Sequence, residues 1–482
     1  YMNNKSYPIP AHFSRLATVP LALVCVLLGG IAPQPAHAAP AGQQSIILPL
    51  VMSRACLGGS KMNPFALQIY GNTGTTGGLL REVKESGATW VRAQIEWGAV
   101  EPTNRDPSQF LWAQADAATA GARDGCVHLI LTMANNAPWA ATNVGGPIDK
   151  VGVDELAQFM AAVVERYDGD GVADAPGSPV VTYFEMYNEP DSGPIPGGEG
   201  WGTHGAAYAD MLKVVYPAIK AANPNAKLVF GGIAHDGFTE NGGVFVKSFL
   251  DDVLNAGGGD YFDVMNFHQY PAFAGSWTSG KGPDLYEKAM AVRKKLTDHG
   301  LNKPLIITET GWHNNNHPTY PSNDEIQGRY VVALMVEGLA ANIEVSTWWL
   351  LVDIGPTYQF DTGLLTYSTR QRKPAFAIFQ LMVRQLENAK YVGTLPASET
   401  NNADLAAYEF KDNNTGKKLF VAWLNPIDQP TAPGKPLTLS AEKVTVIDML
   451  GNTSVVNDTD DGADNGKVTL TVSRPVYIHV TQ

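Results

Sequence analysis

The feature that most constrains the fold is a repeated alternation of short apolar runs with longer amphipathic segments between residues 61 and 388. Eight of the apolar runs are typical of strands, and a helical pattern follows each of them. The predicted strands are Phe65–Tyr70, Trp90–Ile95, Val127–Met133, Val181–Tyr187, Lys227–Gly232, Val264–His268, Leu305–Thr308 and Glu344–Leu351. Such alternation indicates an α/β fold with a parallel sheet, and eight repeats indicate a closed (β/α)8 TIM barrel. An open doubly wound sheet is the alternative, but no glycine-rich phosphate loop follows the first strand.

The pattern changes after residue 388, where short β-type runs alternate with clusters of Asn, Asp, Gly and Pro. These runs are Leu405–Phe410, Lys418–Leu424, Val444–Leu450, Val468–Val472 and Val476–Val480. We therefore expect residues 389–482 to form a small antiparallel β domain, with a sandwich as its predicted architecture. Before the barrel, residues 39–60 are either a linker or a strand that docks on another domain.

The N-terminal segment has the pattern of a secretory signal peptide. Lys5 and Arg15 precede an apolar run, Leu16–Ile31, and an A-x-A cleavage motif follows at Ala36–Ala38. We therefore expect residues 1–38 to be removed and the mature protein to be secreted and extracellular. A retained membrane anchor is the alternative, which the shortness of the apolar run disfavours.

The charge balance limits the class of partner. The 482 residues include 34 Lys and Arg against 47 Asp and Glu, for a net charge of −13. An acidic chain of this kind is a poor match for nucleic acid or for an anionic membrane surface, since both repel it. Neutral substrates are compatible with it, and no membrane contact is expected after signal cleavage.

Three cysteines are present, and Cys25 lies in the predicted signal peptide. Cys56 and Cys126 remain as an even pair in a protein predicted to be exported. They either form one disulfide or are two small buried thiols, and the sequence does not distinguish these alternatives.

An acidic loop follows the third predicted helix, with the sequence DGDGVAD from Asp168 to Asp174. Asp168 and Asp170 alternate with glycines, and Asp174 supplies a third carboxylate. Oxygen ligands at this spacing can surround a calcium ion, although the rest of a full calcium-binding loop is missing. The alternatives are a structural calcium site and a plain acidic turn.

Two glutamates stand at the ends of predicted barrel strands. Glu189 follows the fourth strand in VVTYFEMYNEPD, and Glu309 follows the seventh in LIITETGW. The C-terminal ends of barrel strands are where catalytic groups of this fold lie. Each segment alone could be a strand followed by an acidic turn, but the repetition predicts a paired-carboxylate site.

Other polar and aromatic side chains lie at or near the C-terminal ends of the remaining strands. We expect them to lie close together at the same end of the barrel. A pair of carboxylates surrounded by aromatic faces and hydrogen-bonding groups is typical of a sugar site, because aromatic rings stack on pyranose rings while polar groups bind hydroxyls. The candidates are Arg92, Trp97, Asn135, Asn136, Trp139, Asn188, His268, Tyr270, Trp312, Trp348 and Trp349.

These residues resemble the pattern of clan A of the glycoside hydrolases, the retaining (β/α)8 glycosidases. The resemblance is carried by Asn188-Glu189-Pro190 and by Glu309, with support from Arg92 and a tryptophan in strand eight. The segment His268-Gln269-Tyr270-Pro271 is similar to the H-x-Y-P of family 39. The barrel followed by a β domain also resembles family 39, and less closely families 5 and 30.

The resemblance implies a secreted retaining β-glycosidase that degrades a polysaccharide or oligosaccharide, with Glu189 as general acid/base and Glu309 as nucleophile. No cofactor or metal would take part in catalysis. Asn188 would bind the sugar 2-hydroxyl, and Arg92 and Tyr270 would stabilise the Glu309 carboxylate.

The substrate-binding set implied by the resemblance also includes His268 and Trp348. Ser346-Thr347-Trp348 matches the family's pattern, so we expect Trp348 rather than Trp349 to face the site. Arg92 could instead form a structural ion pair inside the barrel, and His268 could be a buried core histidine.

Two other functions compete with this hypothesis. One is a non-catalytic carbohydrate-binding surface protein on the same barrel, which loss of either glutamate would favour. The other is a metal-dependent hydrolase, which would need ligands such as His235, Asp236, His268 and His313 to converge, although they form no recognisable motif. The sequence leaves the sugar, the linkage, endo or exo action and the oligomeric state open.

Overall fold

The computed structural model describes residues 62–70, 77–195, 198–276 and 282–481. An eight-stranded parallel sheet forms its first part, consisting of β1 (Phe65–Gln68), β2 (Trp90–Glu96), β3 (His128–Asn135), β4 (Tyr183–Met186), β5 (Lys227–Val229), β6 (Met265–Gln269), β7 (Leu305–Thr310) and β8 (Ile343–Trp348). The strand order is β5-β4-β3-β2-β1-β8-β7-β6. Parallel bridges from Val229 to Val264 and from Ile233 to Phe267 join the two ends of the sheet. The predicted (β/α)8 barrel is therefore confirmed.

A helix follows each barrel strand, as the alternation predicted. The helices are α1 (Gly77–Ser86), α2 (Ala113–Gly125), α3 (Val153–Arg166), α4 (Gly205–Ala222), α5 (Phe249–Asn255), α6 (Leu285–Asp298), α7 (Asp324–Ala340) and α8 (Pro374–Leu386). Most of these helices bury one apolar stripe against the sheet. Almost all of α7 is buried, because the β domain covers the side of this helix that faces away from the barrel.

The barrel interior has an apolar layer below a polar layer, because every second residue of a strand points inward. The lower layer consists of Ala66, Trp90, Ile130, Tyr183, Val229, Val264, Ile306 and Val345. Two residues further along seven of these strands the inward side chains are polar and fully buried: Gln68, Arg92, Thr132, Glu185, Asn266, Thr308 and Thr347. Buried polar groups need hydrogen-bond partners, so this polar layer is the foundation on which a site at the mouth rests.

The C-terminal part is an antiparallel β structure of two sheets. Its strands are β9 (Ala389–Thr394), β10 (Leu405–Asp412), β11 (Lys418–Leu424), β12 (Lys435–Ser440), β13 (Lys443–Asp448), β14 (Thr453–Asn457), β15 (Lys467–Val472) and β16 (Val476–Val480). A six-stranded sheet has the order β9-β10-β11-β16-β13-β14, and β12 pairs with β15. Apolar residues such as Phe420, Leu437 and Val468 fill the space between the two sheets. Tyr408 and Trp423, on the other face of the large sheet, join the core of the barrel.

Several predictions concern residues 1–61, which lie outside the described residues. They include the signal peptide and the segment 39–60, which stay predictions. Among the helices that the structure does describe, none is both long and apolar enough to cross a membrane. Cys126, which directly follows α2, is disulfide-bonded, so it is not a free thiol. Its predicted partner, Cys56, also lies outside the described residues.

Candidate active site

The two predicted catalytic glutamates lie together at the C-terminal mouth of the barrel. Glu189 follows β4, and Glu309 is the penultimate residue of β7. One carboxylate oxygen of each lies within 4.8 Å of the other and of a ring nitrogen of His268. The fold thus brings two acids that are far apart in the sequence to the two sides of one small space.

Both carboxylate oxygens of Glu309 accept hydrogen bonds. Its Oε1 accepts a hydrogen bond from Arg92 Nη1 at 2.8 Å, and its Oε2 accepts one from the Tyr270 hydroxyl at 2.8 Å. Burial and the neighbouring Glu309 charge raise the pKa of Tyr270 well above its usual value, so its hydroxyl stays protonated and donates. Both carboxylate oxygens are therefore fixed in direction.

A bulge in β7 aims Glu309 into the barrel. Thr308 already points inward, so strict alternation would send Glu309 toward the helices. However, Phe267 and His268 of β6 pair with Ile307 and Glu309, so β7 carries one extra residue at this place. The pairing of β7 with β8 shows the same shift. The extra residue lets Thr308 and Glu309, although consecutive, both face the interior.

Glu189 is presented on a constrained turn. Tyr187 and Glu189 adopt the left-handed backbone conformation, with φ of 68° and 47°, which few residues other than glycine adopt. The turn is held because the Tyr187 N–H donates to the Met133 carbonyl at 2.8 Å and the Glu189 N–H donates to the Gly232 carbonyl at 3.0 Å. Such local strain is common at functional sites.

The surroundings of Glu189 favour its protonated form. Burial, with a further contribution from the Asp236 charge, raises the pKa of Glu189 to about 7, although the Arg92 and Lys288 charges oppose the rise. Its side chain remains 23% exposed, so it is still accessible from the mouth. A carboxyl group of this kind can both give and take a proton near neutral pH.

His268 lies behind both carboxylates. Its Nδ1 is 3.1 Å from Glu189 Oε1, and its Nε2 is 3.1 Å from the Thr308 hydroxyl. Burial lowers the pKa of His268 to about 4, so the ring is neutral at higher pH. A neutral ring can hydrogen-bond Glu189 in either protonation state of the acid. The residue is only 1% exposed, and its contact is with the acid; the predicted substrate contact of His268 stays a prediction.

Arg92 connects the two halves of the site. Its Nε and Nη2 bind the two oxygens of Glu185 at 2.7 and 2.9 Å, and Nη2 also donates to Asn188 Oδ1 at 2.8 Å. Arg92 is fully buried. The predicted contact with Glu309 and the alternative, an ion pair inside the barrel, are both present, the latter with Glu185. With its Oδ1 held by Arg92, Asn188 has an Nδ2 group without a partner among the described residues.

Glu185 is a site residue that the sequence reasoning missed. Although burial acts to raise the pKa of Glu185, the Arg92 charge and hydrogen bonds from Arg92 and Thr132 lower it overall. Asn266 Nδ2 also donates to Glu185, at 2.8 Å. The signal was available, since a glutamate inside an otherwise apolar strand needs a buried cationic partner.

The expectation for the two tryptophans is wrong. Trp348 is buried among the outward-facing residues, and its Nε1 donates to the Thr362 carbonyl at 3.1 Å. Val345 and Thr347 of β8 point inward, so alternation places Trp349 inside and Trp348 outside. The Trp349 ring lies edge-on to Tyr270, with their ring centres 6.3 Å apart.

Two further tyrosines that were not predicted from the sequence surround Trp349. The Trp349 Nε1 donates to the Tyr70 hydroxyl at 3.1 Å. The Tyr358 ring lies edge-on to Trp349, with 5.4 Å between the ring centres. Tyr70 ends the first strand predicted from the sequence, although the strand itself stops at Gln68, and Tyr358 lies in the segment after β8.

In the part of the chain that the structure describes, two groups of His, Asp and Glu side chains are close enough to hold a metal ion. The first is Glu189, His268 and Glu309, where the Arg92 guanidinium already binds one carboxylate and would repel a second cation. Of the four ligands expected for a metal-dependent hydrolase, the first group contains His268 alone, and neither group contains His235, Asp236 or His313. This geometry gives that hypothesis no support.

The second group is the acidic loop after α3. Carboxylate oxygens of Asp168, Asp170 and Asp174 lie within 4.8 Å of one another. Burial and the neighbouring charges of Asp170 and Asp174 raise the pKa of Asp168. Backbone N–H groups of the loop also bond these carboxylates, for example Gly171 to Asp174 at 3.0 Å. The arrangement fits either alternative, so the structural calcium ion stays a prediction.

Comparison with known protein families shows which family the barrel matches. The model of the cellulase family, glycosyl hydrolase family 5, matches residues 56–353. This range covers more than half of the chain and includes every residue of the site described above except Tyr358. No curated protein sequence matches the chain.

Solved structures of several glycoside hydrolases share the fold. A family 39 glycoside hydrolase from the gut symbiont Bacteroides cellulosilyticus WH2 has a TM-score of 0.65 at 20% identity, covering 87% of this chain and 81% of that one. A GH30 endoxylanase from Clostridium papyrosolvens C71 has a TM-score of 0.56 at 14% identity, covering 87% and 96%. The family 51 α-L-arabinofuranosidase AbfB from Bifidobacterium longum has a TM-score of 0.55 at 15% identity, covering 88% and 97%. At such identities the likeness concerns the fold alone.

Proposed function

This chain belongs to the cellulase family, glycosyl hydrolase family 5, and is a glycoside hydrolase; we propose that it is a retaining β-glycosidase. Its substrate would be a neutral polysaccharide or oligosaccharide, cleaved by double displacement with two glutamates. The signal-peptide pattern of residues 1–38 supports secretion, which is part of the same proposal.

The separation of the two carboxylates carries the proposal. Oxygens of Glu189 and Glu309 lie within 4.8 Å of each other. Retaining glycosidases hold their carboxyl groups about 5–5.5 Å apart, whereas inverting enzymes leave about 6.5–9.5 Å so that a water molecule fits between. The short separation therefore supports direct attack by one carboxylate on the sugar.

In the first step, Glu309 attacks the anomeric carbon and the bond to the leaving oxygen breaks. Glu189 gives its proton to that oxygen, which leaves as an alcohol. The hydrogen bonds from Arg92 and Tyr270 to Glu309 orient the nucleophile before attack. The raised pKa of Glu189 keeps the acid protonated in weakly acidic solution.

In the second step, a water molecule replaces the leaving group. Glu189, now ionised, takes a proton from this water, whose oxygen attacks the anomeric carbon and releases Glu309. Once Glu309 is esterified its negative charge is gone, so Glu189 ionises more easily than before. The Asn188 Nδ2 group is available to donate to the sugar 2-hydroxyl, a contact that strengthens in the transition state.

A panel of substrates tests the proposal. Aryl β-glycosides and soluble β-glucans, xylans and mannans would be incubated with the protein, with Glu309→Ala as the inactive control. We expect turnover of at least one of them, lost in the variant. A folded protein without turnover on any substrate would overturn the proposal and would favour the carbohydrate-binding surface protein.

A further inference from the structure

Aromatic side chains continue outward from the site across the loops that follow β7 and β8. Tyr270, which binds Glu309, neighbours Trp349, and Trp349 neighbours Tyr358. The series continues with Phe360, whose ring centre lies 6.1 Å from that of Tyr358 and 4.7 Å from that of His317. We call the outer four residues the aromatic shelf: His317, Tyr320, Tyr358 and Phe360.

The members of the shelf are partly exposed rather than buried, and their rings are fixed in orientation. His317 stacks on Tyr320 with ring centres 5.9 Å apart and planes 19° apart. Its Nδ1 also accepts the backbone N–H of Thr319 at 3.2 Å and that of Tyr320 at 3.3 Å. A rigid, partly exposed aromatic surface loses little conformational entropy when a ligand binds to it.

Hydrogen bonds join the two loops that carry the shelf. Asn315 Nδ2 donates to the Gln359 carbonyl at 2.8 Å, and the Asp361 N–H donates to Asn315 Oδ1 at 3.0 Å. Lys373 Nζ donates to Asn314 Oδ1 and to the Asp361 carbonyl, both at 3.0 Å. The two loops therefore form one preorganised wall of the mouth.

We propose that the aromatic shelf binds sugar rings of the glycone, beyond the ring whose bond is cleaved. This inference rests on the proposed function and assigns the substrate class as β-linked oligosaccharide or polysaccharide chains with several glycone units. The apolar C–H face of a pyranose packs on an aromatic ring, while its hydroxyls reach polar groups at the rim. Gln359 and Asn316, both exposed beside the shelf, supply such groups.

The position of the shelf relative to the acid decides which part of the substrate it meets. The leaving group must depart on the side of Glu189, because this residue protonates the departing oxygen. In a closed barrel of eight strands, β8 lies opposite β4, the strand that leads to Glu189. Tyr270, which binds Glu309, and Trp349 lead to the shelf, whose members lie on the loops after β7 and β8. It therefore lies on the glycone side.

Shelf variants and substrates of two lengths test this assignment. The variants are Phe360→Ala and His317→Ala. Tyr367→Ala is the matched control, since Tyr367 is an exposed aromatic residue on the same loop but outside the shelf. The substrates are 4-nitrophenyl β-glycosides with one sugar unit and with three, in the glucose, xylose and mannose series.

We expect kcat/KM on the longer glycoside to fall roughly tenfold in each shelf variant, the effect of losing one ring contact. Turnover of the single-unit glycoside should stay within about twofold of the unaltered protein, and the control should behave normally on both. Equal losses of kcat/KM on both substrates, or no loss on the longer one, would contradict the proposal that the shelf binds sugar rings. If Phe360→Ala does not fold, Phe360→Leu keeps the apolar volume and removes only the aromatic face.

Calorimetric titration separates the shelf from the catalytic proposal. Trisaccharides of the same three sugars would be titrated into Glu309→Gln, with and without Phe360→Ala. Weaker binding in the double variant supports the shelf even if the unaltered protein turns over no substrate, which would contradict the proposed function alone. Equal trisaccharide affinity in Glu309→Gln with and without Phe360→Ala would contradict sugar binding by the shelf, whatever the activity of the unaltered protein.

Discussion

Glu189 and Glu309 are the same side chain in two different surroundings. Glu309 faces a guanidinium and a phenol, which stabilise its charge. Glu189 faces a neutral imidazole and lies near the negative Asp236, which disfavours its charge. Opposite surroundings of this kind let two chemically identical groups serve as an acid and a nucleophile in one site.

Loss of the acid should be partly repaired by a small anion. Glu189→Ala should lower turnover of glycosides with poor leaving groups by about 10²–10⁴-fold, the usual contribution of general acid–base catalysis. On an aryl glycoside with a good leaving group, azide should restore part of the activity, because it attacks the glycosyl-enzyme without a general base. Glu309→Ala should be inactive without azide, and Glu344→Gln, at an exposed glutamate of β8, should be normal. Equal residual activity in the two alanine variants would contradict the roles.

The pH profile should show the titration of Glu189. Only its protonated form can protonate the leaving group, and burial raises its pKa to about 7. Activity should therefore be present below pH 7 and fall as the pH rises through about 7, measured as kcat/KM. With an activated aryl leaving group, Glu189→Gln should lack this decline. A decline that persists unchanged in the variant would show that another group titrates.

At the scale of elements, both strands that carry the catalytic pair depart from regular geometry. The chain leaves β4 through two residues with positive φ, and β7 contains a bulge at Thr308 and Glu309. The positions of the two glutamates were predictable, because each follows an apolar run. The bulge was not, since it depends on the register with β6 and β8. Trp349 was misassigned because a resemblance outweighed the alternation of Val345 and Thr347.

The acidic loop after α3 provides a prediction of its own. If Asp168, Asp170 and Asp174 bind calcium, the ion should stabilise the folded protein by about 2.7 kcal/mol at a concentration one hundred times its Kd. Thermal unfolding would be compared in calcium and in a chelator. The double variant Asp168→Asn, Asp170→Asn should lose the difference, whereas Asp461→Asn, in the acidic turn before β15, should keep it. If the unaltered protein has the same melting temperature in both buffers, the calcium site is contradicted and the loop is a plain acidic turn.

At the scale of the whole molecule, the barrel and the β domain share one core. Arg329 of α7 donates to the carbonyls of Pro430 and Ser473, at 3.3 and 3.4 Å. Glu337 of the same helix accepts the N–H of Leu285 at 2.9 Å, and the hydroxyl of Tyr408 in β10 lies 3.5 Å from it. Buried polar contacts thus accompany the apolar contacts between the two parts.

Glu337 should make stability depend on pH. Burial, with the nearby Glu287 charge, raises its pKa in the folded protein to about 8. Protonated Glu337 therefore contributes to the free energy of unfolding on the order of a few kcal/mol. This contribution is fully present below the usual glutamate pKa and is lost as the pH rises through about 8. Glu337→Gln keeps an acceptor oxygen and should flatten the fall of the melting temperature between the usual glutamate pKa and about pH 8. Glu344→Gln should not, and equal slopes in all three proteins would contradict the assignment.

The overall architecture was largely predictable, because eight buried strands and their helices leave a strong periodic pattern. Three strands of the β domain were missed: Ala389–Thr394, Lys435–Ser440 and Thr453–Asn457. Two of them are the edges of the large sheet, and the third pairs with a single neighbour. Strands of this kind bury few side chains, so their sequences resemble connecting loops.

The retaining mechanism is tested most directly by the anomeric configuration of the first product. Hydrolysis of a β-glycoside that the protein accepts would be followed by ¹H NMR from the first turnovers, before the free sugar equilibrates between its anomers. Double displacement through Glu309 predicts that the β-anomer appears first and the α-anomer only later. Initial release of the α-anomer would mean a single displacement by water and would contradict the proposed roles of both glutamates.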